Sequence, residues 1–231
     1  AVLEIEAYAI ANLLAKMETG QMVPAPVWTD LKTLPVDCFR NRIDLLTGGY
    51  PCQGFSTSGL RKGSEDPRYL WGYIRGHIES IRPVRCFFEN VEGHISLGLR
   101  EVIEDLESLG YKTKWGIFSA SECGAPHQRK RVFILADSKS KRVQGRGATQ
   151  QQEPQSHAGK KISQRHSAAC RANNWITEPN VGRVAYGSAF RVDRLRLLGN
   201  GVVPQQAAKA WIILNEQMDS EGTTEHSKTH G

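Results

Sequence analysis

Residues Gly48 to Ser56 read GGYPCQGFS and follow the apolar run Ile43-Asp44-Leu45-Leu46-Thr47. A short apolar run that stops at glycines reads as a buried strand, and the Pro/Gly-rich segment after it as a turn at the strand's carboxyl end. In open α/β sheets the loops leaving such ends line the ligand crevice. Cys52 sits on that turn. Toward the amino end, Val2 to Ile5 reads as the tail of a strand. Ile10, Leu13, Leu14 and Met17 recur at i, i+3, i+4, i+7, which predicts a helix over 7–17, and Val27-Trp28-Thr29 is a short strand before Asp30. Toward the carboxyl end, residues 53–68 read as a long Gly/Ser-containing loop, 69–80 as a helix, Arg85 to Glu89 as a strand and 97–109 as a helix closed by Gly110. Lys112 to Phe118 and Val132 to Ala136 are further strands. Strands alternating with helices predict a βαβ architecture and a mainly parallel sheet.

Residues 137–175 break this rhythm, with six Gln, several Ser and Gly and few large apolar side chains, so no independent core is expected there. Between Asp137 and Asn174 eight Lys/Arg stand against two acids, which accounts for the whole net charge of +6. A positive excess gathered in one insert suits a polyanionic partner, and equally suits a solvated basic linker. From Trp175 apolar residues return, and 204–217 predicts a helix with proline in its first turn. The expected organisation is an α/β catalytic domain over 1–136, a short, poorly structured basic insert for target recognition over 137–190, a return to the catalytic domain over 191–217 and a disordered tail over 218–231.

No apolar run approaches the roughly 20 residues of a membrane helix, so no membrane partner is expected. Cys38, Cys52, Cys86, Cys123 and Cys170 are odd in number and contain no CxxC pair. That spacing argues against a zinc site and against a disulfide framework, and points to free thiols in a reducing cytoplasm.

Four segments in chain order resemble the cytosine-C5 DNA methyltransferases of bacterial and phage restriction-modification type. They are Pro51-Cys52-Gln53 within GGYPCQGFS, Glu89-Asn90-Val91, Arg129 and Arg131 of QRKR, and GNGVVP from Gly199 to Pro204. Each string alone is weak, but four in order, each at a strand end, make coincidence improbable. The resemblance spans Glu4 to Trp211 apart from the basic insert. It implies a doubly wound, Rossmann-like, S-adenosylmethionine-dependent fold acting as a monomer on double-stranded DNA.

The implied chemistry accounts for the residue types. Carbon 5 of cytosine is a poor nucleophile, and thiolate addition at carbon 6 activates it. The resemblance assigns that thiolate to Cys52, whose ordinary pKa of about 8.5 must be lowered by turn amides or arginines. It assigns to Glu89 a proton or hydrogen bond to ring nitrogen 3, which requires a carboxyl pKa raised by burial. Arg131 would contact the ring oxygen at carbon 2, and Arg129 would hold the loop or a phosphate. The target base must leave the duplex stack to be reached, and the 53–68 loop would close behind it. The implied donor site comprises Glu4 on the ribose, with Glu6 as near competitor, Ile5 on the adenine face, Asp30 at the adenine amino group, Pro51, and Asn200 at the methionine end. Gly201 stands where the family usually carries a hydroxyl or Ala.

The chain departs from the family in opening at what should be the second strand. The first strand and its Gly-rich cofactor loop are expected to be missing, leaving a gap in the sheet and weak or no donor binding by these 231 residues. Blander readings stand beside each assignment. Cys52 could be an inert thiol, Glu89 a solvated strand-end carboxylate, and the two arginines an edge-strand charge pair sharing one face. His127 and the other four cysteines read as structural or incidental. Two rival functions stay open: transfer-RNA cytosine methylation, against which GFS after Pro51-Cys52-Gln53 speaks modestly, and a non-catalytic nucleic-acid-binding remnant.

Overall fold

The segment Arg85-Cys-Phe-Phe-Glu-Asn-Val91 turns Cys86, Phe88 and Asn90 into the interior on one side, and Phe87 and Glu89 to the other. This two-residue period is that of a strand covered on both faces. The computed structural model describes residues 1–51, 70–138 and 199–226, with side chains described as far as residue 220. The elements in chain order are β1 (Val2–Leu3), α1 (Ala7–Glu18), β2 (Val27–Trp28), β3 (Leu45–Gly49), α2 (Trp71–Ile81), β4 (Arg85–Val91), α3 (His94–Leu97), α4 (Leu99–Ser108), β5 (Lys112–Phe118), β6 (Arg131–Asp137) and α5 (Pro204–His226).

Four strands form one sheet in the order β3-β4-β6-β5. β3 runs parallel to β4, with Gly49 opposite Glu89, and β6 runs antiparallel to β4, with Val91 opposite Arg131. Against one face pack α2 and α4, where Ile78, Val102 and Leu106 meet Cys86, Phe88, Val132 and Ile134. Against the other packs α5, where Ala210, Leu214 and Met218 meet Phe118, Phe133 and Leu135. Helices on both faces make the three-layer, doubly wound arrangement that the resemblance implies. Gly110, at φ +88, ends the α4 turn as expected.

Four expectations need correction. The sheet is mixed, because β6 pairs antiparallel with both β4 and β5. Residues 119–130 between β5 and β6 hold only a short 3-10 turn at Ser121–Cys123, so β6 returns antiparallel beside β5 where a parallel neighbour would need a crossover. The strand after Ile43 is mostly exposed rather than buried; only Leu46 of β3 is even partly covered. The helix expected over 97–109 is divided at Gly98 into α3 and α4. The last helix continues to His226, well beyond residue 217 and into the stretch expected as a disordered tail, since Met218 still packs on the sheet. β1 and β2 pair in parallel as a sheet of their own, separate from the four-stranded one. The long loop at 53–68 and almost all of the basic insert fall outside the described residues.

Candidate active site

The register of β3, β4 and β6 builds the site. Gly49 pairs with Glu89 at the carboxyl end of β3, and Arg131 enters β6 opposite Val91, two residues along from Glu89 and on the same face. Arg131 Nε lies 2.9 Å from Glu89 Oε1, and both side chains are more than four-fifths buried. Arg131 also donates from Nη1 to the Lys130 carbonyl, which fixes the guanidinium. Burial pushes the Glu89 carboxyl above its ordinary value, while the charges of Arg131 and Arg129 and the Arg131 hydrogen bond pull the other way without cancelling it. A carboxyl raised by burial holds its proton more readily than a solvated one, which is what a proton donor requires. Gly49 makes room for it: a Cβ there would stand 3.2 Å from Glu89 Oε2.

Arg129 acts differently from Arg131. It adopts φ +38, ahead of the strand, and its Nη2 donates to the carbonyls of Gly199 and Gly201 at 2.8 and 2.6 Å. The two arginines therefore serve different partners rather than forming one edge pair. Arg129 brackets Asn200, which is exposed. Gln206, in the first turns of α5, returns the connection: its Nε2 donates to the carbonyls of Phe118 and Arg129.

The end of β3, from which the chain continues to Pro51, is rooted by residues that sequence reading did not single out as site residues. Asn90 Nδ2 donates to the Tyr50 carbonyl at 3.0 Å, and the Tyr50 hydroxyl shares a 2.9 Å hydrogen bond with His94 Nε2. Tyr50 and His94 are buried, and Pro51, next along the chain, is exposed. Asn90 was visible only as the centre of Glu89-Asn90-Val91; His94 gave no signal beyond being a histidine just after a turn. Cys52 itself lies outside the described residues.

At the other sheet, Glu4 and Ile5 follow β1 and Asp30 follows β2, at the carboxyl ends of two parallel neighbours. Glu4 Oε1 accepts from the Glu6 amide at 2.8 Å, and Asp30 Oδ1 caps the following 3-10 turn through the Lys32 amide. Ile5 is 74% exposed. Acceptor carboxylates beside an uncovered apolar side chain fit an adenosine moiety, with ribose and adenine amino group as donors. Cys86 and Cys123 are buried, and burial pushes the Cys86 thiol up to about 12, so Cys86 is an inert packing group. Among the described residues no cluster of His, Cys, Asp and Glu could hold a metal, and no helix is long and apolar enough to cross a membrane.

A family model described as C-5 cytosine-specific DNA methylase matches residues 5–209. Type II methyltransferase M.NgoBV of Neisseria gonorrhoeae is 36% identical over 110 residues, 42% of this chain and 26% of the relative. M.AgeI of Thalassovita gelatinovora is 34% identical over 124 residues, 52% and 28% of the two chains. These alignments span only about a quarter of each relative's length. Among solved structures, a Spodoptera frugiperda DNMT2 mutant aligns with TM-score 0.48 and 19% identity, covering 64% of this chain and 45% of that one. The S. pombe Dnmt2 methyltransferase gives 0.45 and 26%, covering 60% and 43%.

Proposed function

The chain belongs to the C-5 cytosine-specific DNA methylase family, and from that premise we propose that it carries the machinery for methylating carbon 5 of cytosine in duplex DNA through a covalent Cys52 adduct. The observation that carries this reading is the buried Glu89–Arg131 pair standing beside the strand end from which Pro51 and then Cys52 continue. The Cys52 thiolate adds to carbon 6 of an extruded base, and electron density moves toward carbon 5 and ring nitrogen 3. Glu89 gives a proton to nitrogen 3 as that charge grows, and Arg131 holds the oxygen at carbon 2. Carbon 5 takes the methyl group and gives its proton to water, Cys52 departs as thiolate, and nitrogen 3 returns its proton to Glu89. S-adenosylmethionine, when bound, supplies the methyl group; Glu4, Ile5 and Asp30 would hold its adenosine, Asn200 its methionine end, and Pro51 the side nearest the base. Arg129 positions Asn200 and does not touch the base. The basic stretch 137–174 supplies phosphate contacts.

Weak donor binding by the 231-residue chain is part of this reading, because β1 and β3 belong to separate sheets; micromolar binding in calorimetry would overturn it. The addition step itself needs no donor. Reversible addition at carbon 6 with protonation at carbon 5 exchanges the carbon-5 hydrogen with water. DNA tritiated at carbon 5 of every cytosine removes the need to know the target sequence. Tritium release by this chain and none by Cys52→Ser is the expected result. Equal release by Cys52→Ser would remove Cys52 from the mechanism.

A further inference from the structure

Tyr50 is the last buried residue before the chain emerges at Pro51, and it is held twice. Its main-chain carbonyl accepts from Asn90 Nδ2, and its hydroxyl pairs with His94 Nε2. Its ring packs against Trp71 at 5.2 Å, Phe88 at 5.9 Å and the His94 ring at 5.3 Å between centroids. Both polar partners come from the short run that begins at Glu89: Asn90 follows the acid directly, and His94 opens α3 five residues on. A hydrophobic ring at position 50 would fill this pocket equally well, so packing alone does not call for the hydroxyl. A buried hydroxyl and a buried imidazole each demand a partner, and here each meets the other.

We propose that His94 is a positioning residue which, through the Tyr50 hydroxyl, fixes the point where the chain leaves β3 for the nucleophile turn against the β4 end that carries Glu89. The proposal rests on the reading of Cys52 as nucleophile and goes beyond it by naming what sets the register between the thiol-bearing turn and its acid–arginine pair. The carbonyl bond fixes the main chain at Tyr50, and the hydroxyl bond ties the far end of its side chain to the start of α3. Burial, which pushes the imidazole down to about 4, keeps His94 neutral through the working pH range, so the bond does not switch with pH. His94 touches neither base nor donor in this arrangement; it acts on the thiol only through Tyr50.

The test uses the 231-residue chain and the alkylation of Cys52 by iodoacetamide, followed peptide by peptide in a mass spectrometer as a function of pH. The arginines beside Glu89 favour the thiolate only if the turn is held against them, so loss of register raises the apparent thiol pKa. In the unaltered chain the pKa is expected below the ordinary value of about 8.5. Tyr50→Phe and His94→Leu should each raise it by about half to one unit, a three- to ten-fold slower reaction near pH 7. His94→Gln, which can still bond the hydroxyl, should return most of the way. Tyr50→Phe removes one oxygen from an otherwise unchanged ring, so it reports even if His94→Leu fails to fold. A depressed pKa that neither variant moves would overturn the positioning role and leave the nucleophile reading standing. An ordinary pKa in the unaltered chain would overturn the activated nucleophile and the positioning role together.

Discussion

At the scale of single residues, the absence of a side chain at Gly49 sets the position of the Glu89 carboxylate. Gly49→Ala would bring a methyl to 3.2 Å from Glu89 Oε2 and crowd the carboxylate away from Arg131. We expect tritium release from DNA to fall about ten-fold, on the order of 1.4 kcal/mol in the barrier, with little change in thermal midpoint. An unchanged rate would show that Glu89 does not depend on that space. His94 supplies a separate pH signature. Its imidazole is held at about 4 against 6.5 when free, so the unfolded chain takes up this proton at a higher pH than the folded chain. Its contribution to stability is present above about 6.5 and is lost as pH falls through about 4. Glu89 runs the other way: raised by burial, it contributes fully below its ordinary value and loses that contribution as pH rises through its folded value. His94→Gln cannot titrate, so the difference in thermal midpoint between the unaltered chain and this variant should shrink on going from pH 7 to pH 4. A constant difference would contradict the buried neutral imidazole.

At the scale of elements, α5 and the start of β6 hold each other. Gln206 on α5 donates to the carbonyls of Phe118 and Arg129, and Arg129 donates to the carbonyls of Gly199 and Gly201 ahead of α5. Gln206→Ala would strip two carbonyls of a buried partner and is expected to cost about 2–4 kcal/mol in urea unfolding. Lys209→Ala, which removes a partly exposed pair with Glu122, should cost under about 1 kcal/mol. Equal effects would mean that the helix is held by its apolar face alone. This clasp was not legible in the sequence, because a glutamine after Pro204 carries no sign of which carbonyls it will meet. The strands β4 and β6 were legible, their apolar runs being long and bounded. The direction of β6 was not: a strand's own pattern is the same in either direction, and the deciding fact was the short, helix-free connection from β5. The exposure of β3 was hidden for a similar reason. Burial depends on a neighbour, and Leu45-Leu46-Thr47 reads as core whether or not a neighbour covers it.

At the scale of the whole molecule, the acid and arginine lie at one end of the two central strands of the four-stranded sheet, and the candidate adenosine contacts follow the carboxyl ends of the strands of the other sheet. The motif strings named Glu89, Arg131, Arg129 and Asn200; the fold pairs Glu89 with Arg131 and ties Arg129 to the carbonyls on either side of Asn200. The roots of the turn, Tyr50 and His94, emerged only in three dimensions, because they are joined across 44 residues of chain. Charge is divided as unevenly as the sheets, with the whole excess in 137–174. DNA affinity should therefore fall steeply with salt, at least about ten-fold between 50 and 200 mM, if several phosphates are neutralised. A flat dependence would take that stretch off the DNA. The central claim is a bond between one sulfur and one pyrimidine carbon. Duplex DNA in which pyrimidin-2-one replaces a fraction of the cytosines offers carbon 6 to a thiolate, and nothing at carbon 5 draws the adduct onward. After denaturation and proteolysis, mass spectrometry should find the nucleotide on the peptide that contains Cys52. Its attachment to Cys38 or Cys170, or an adduct that persists in Cys52→Ser, would contradict the account.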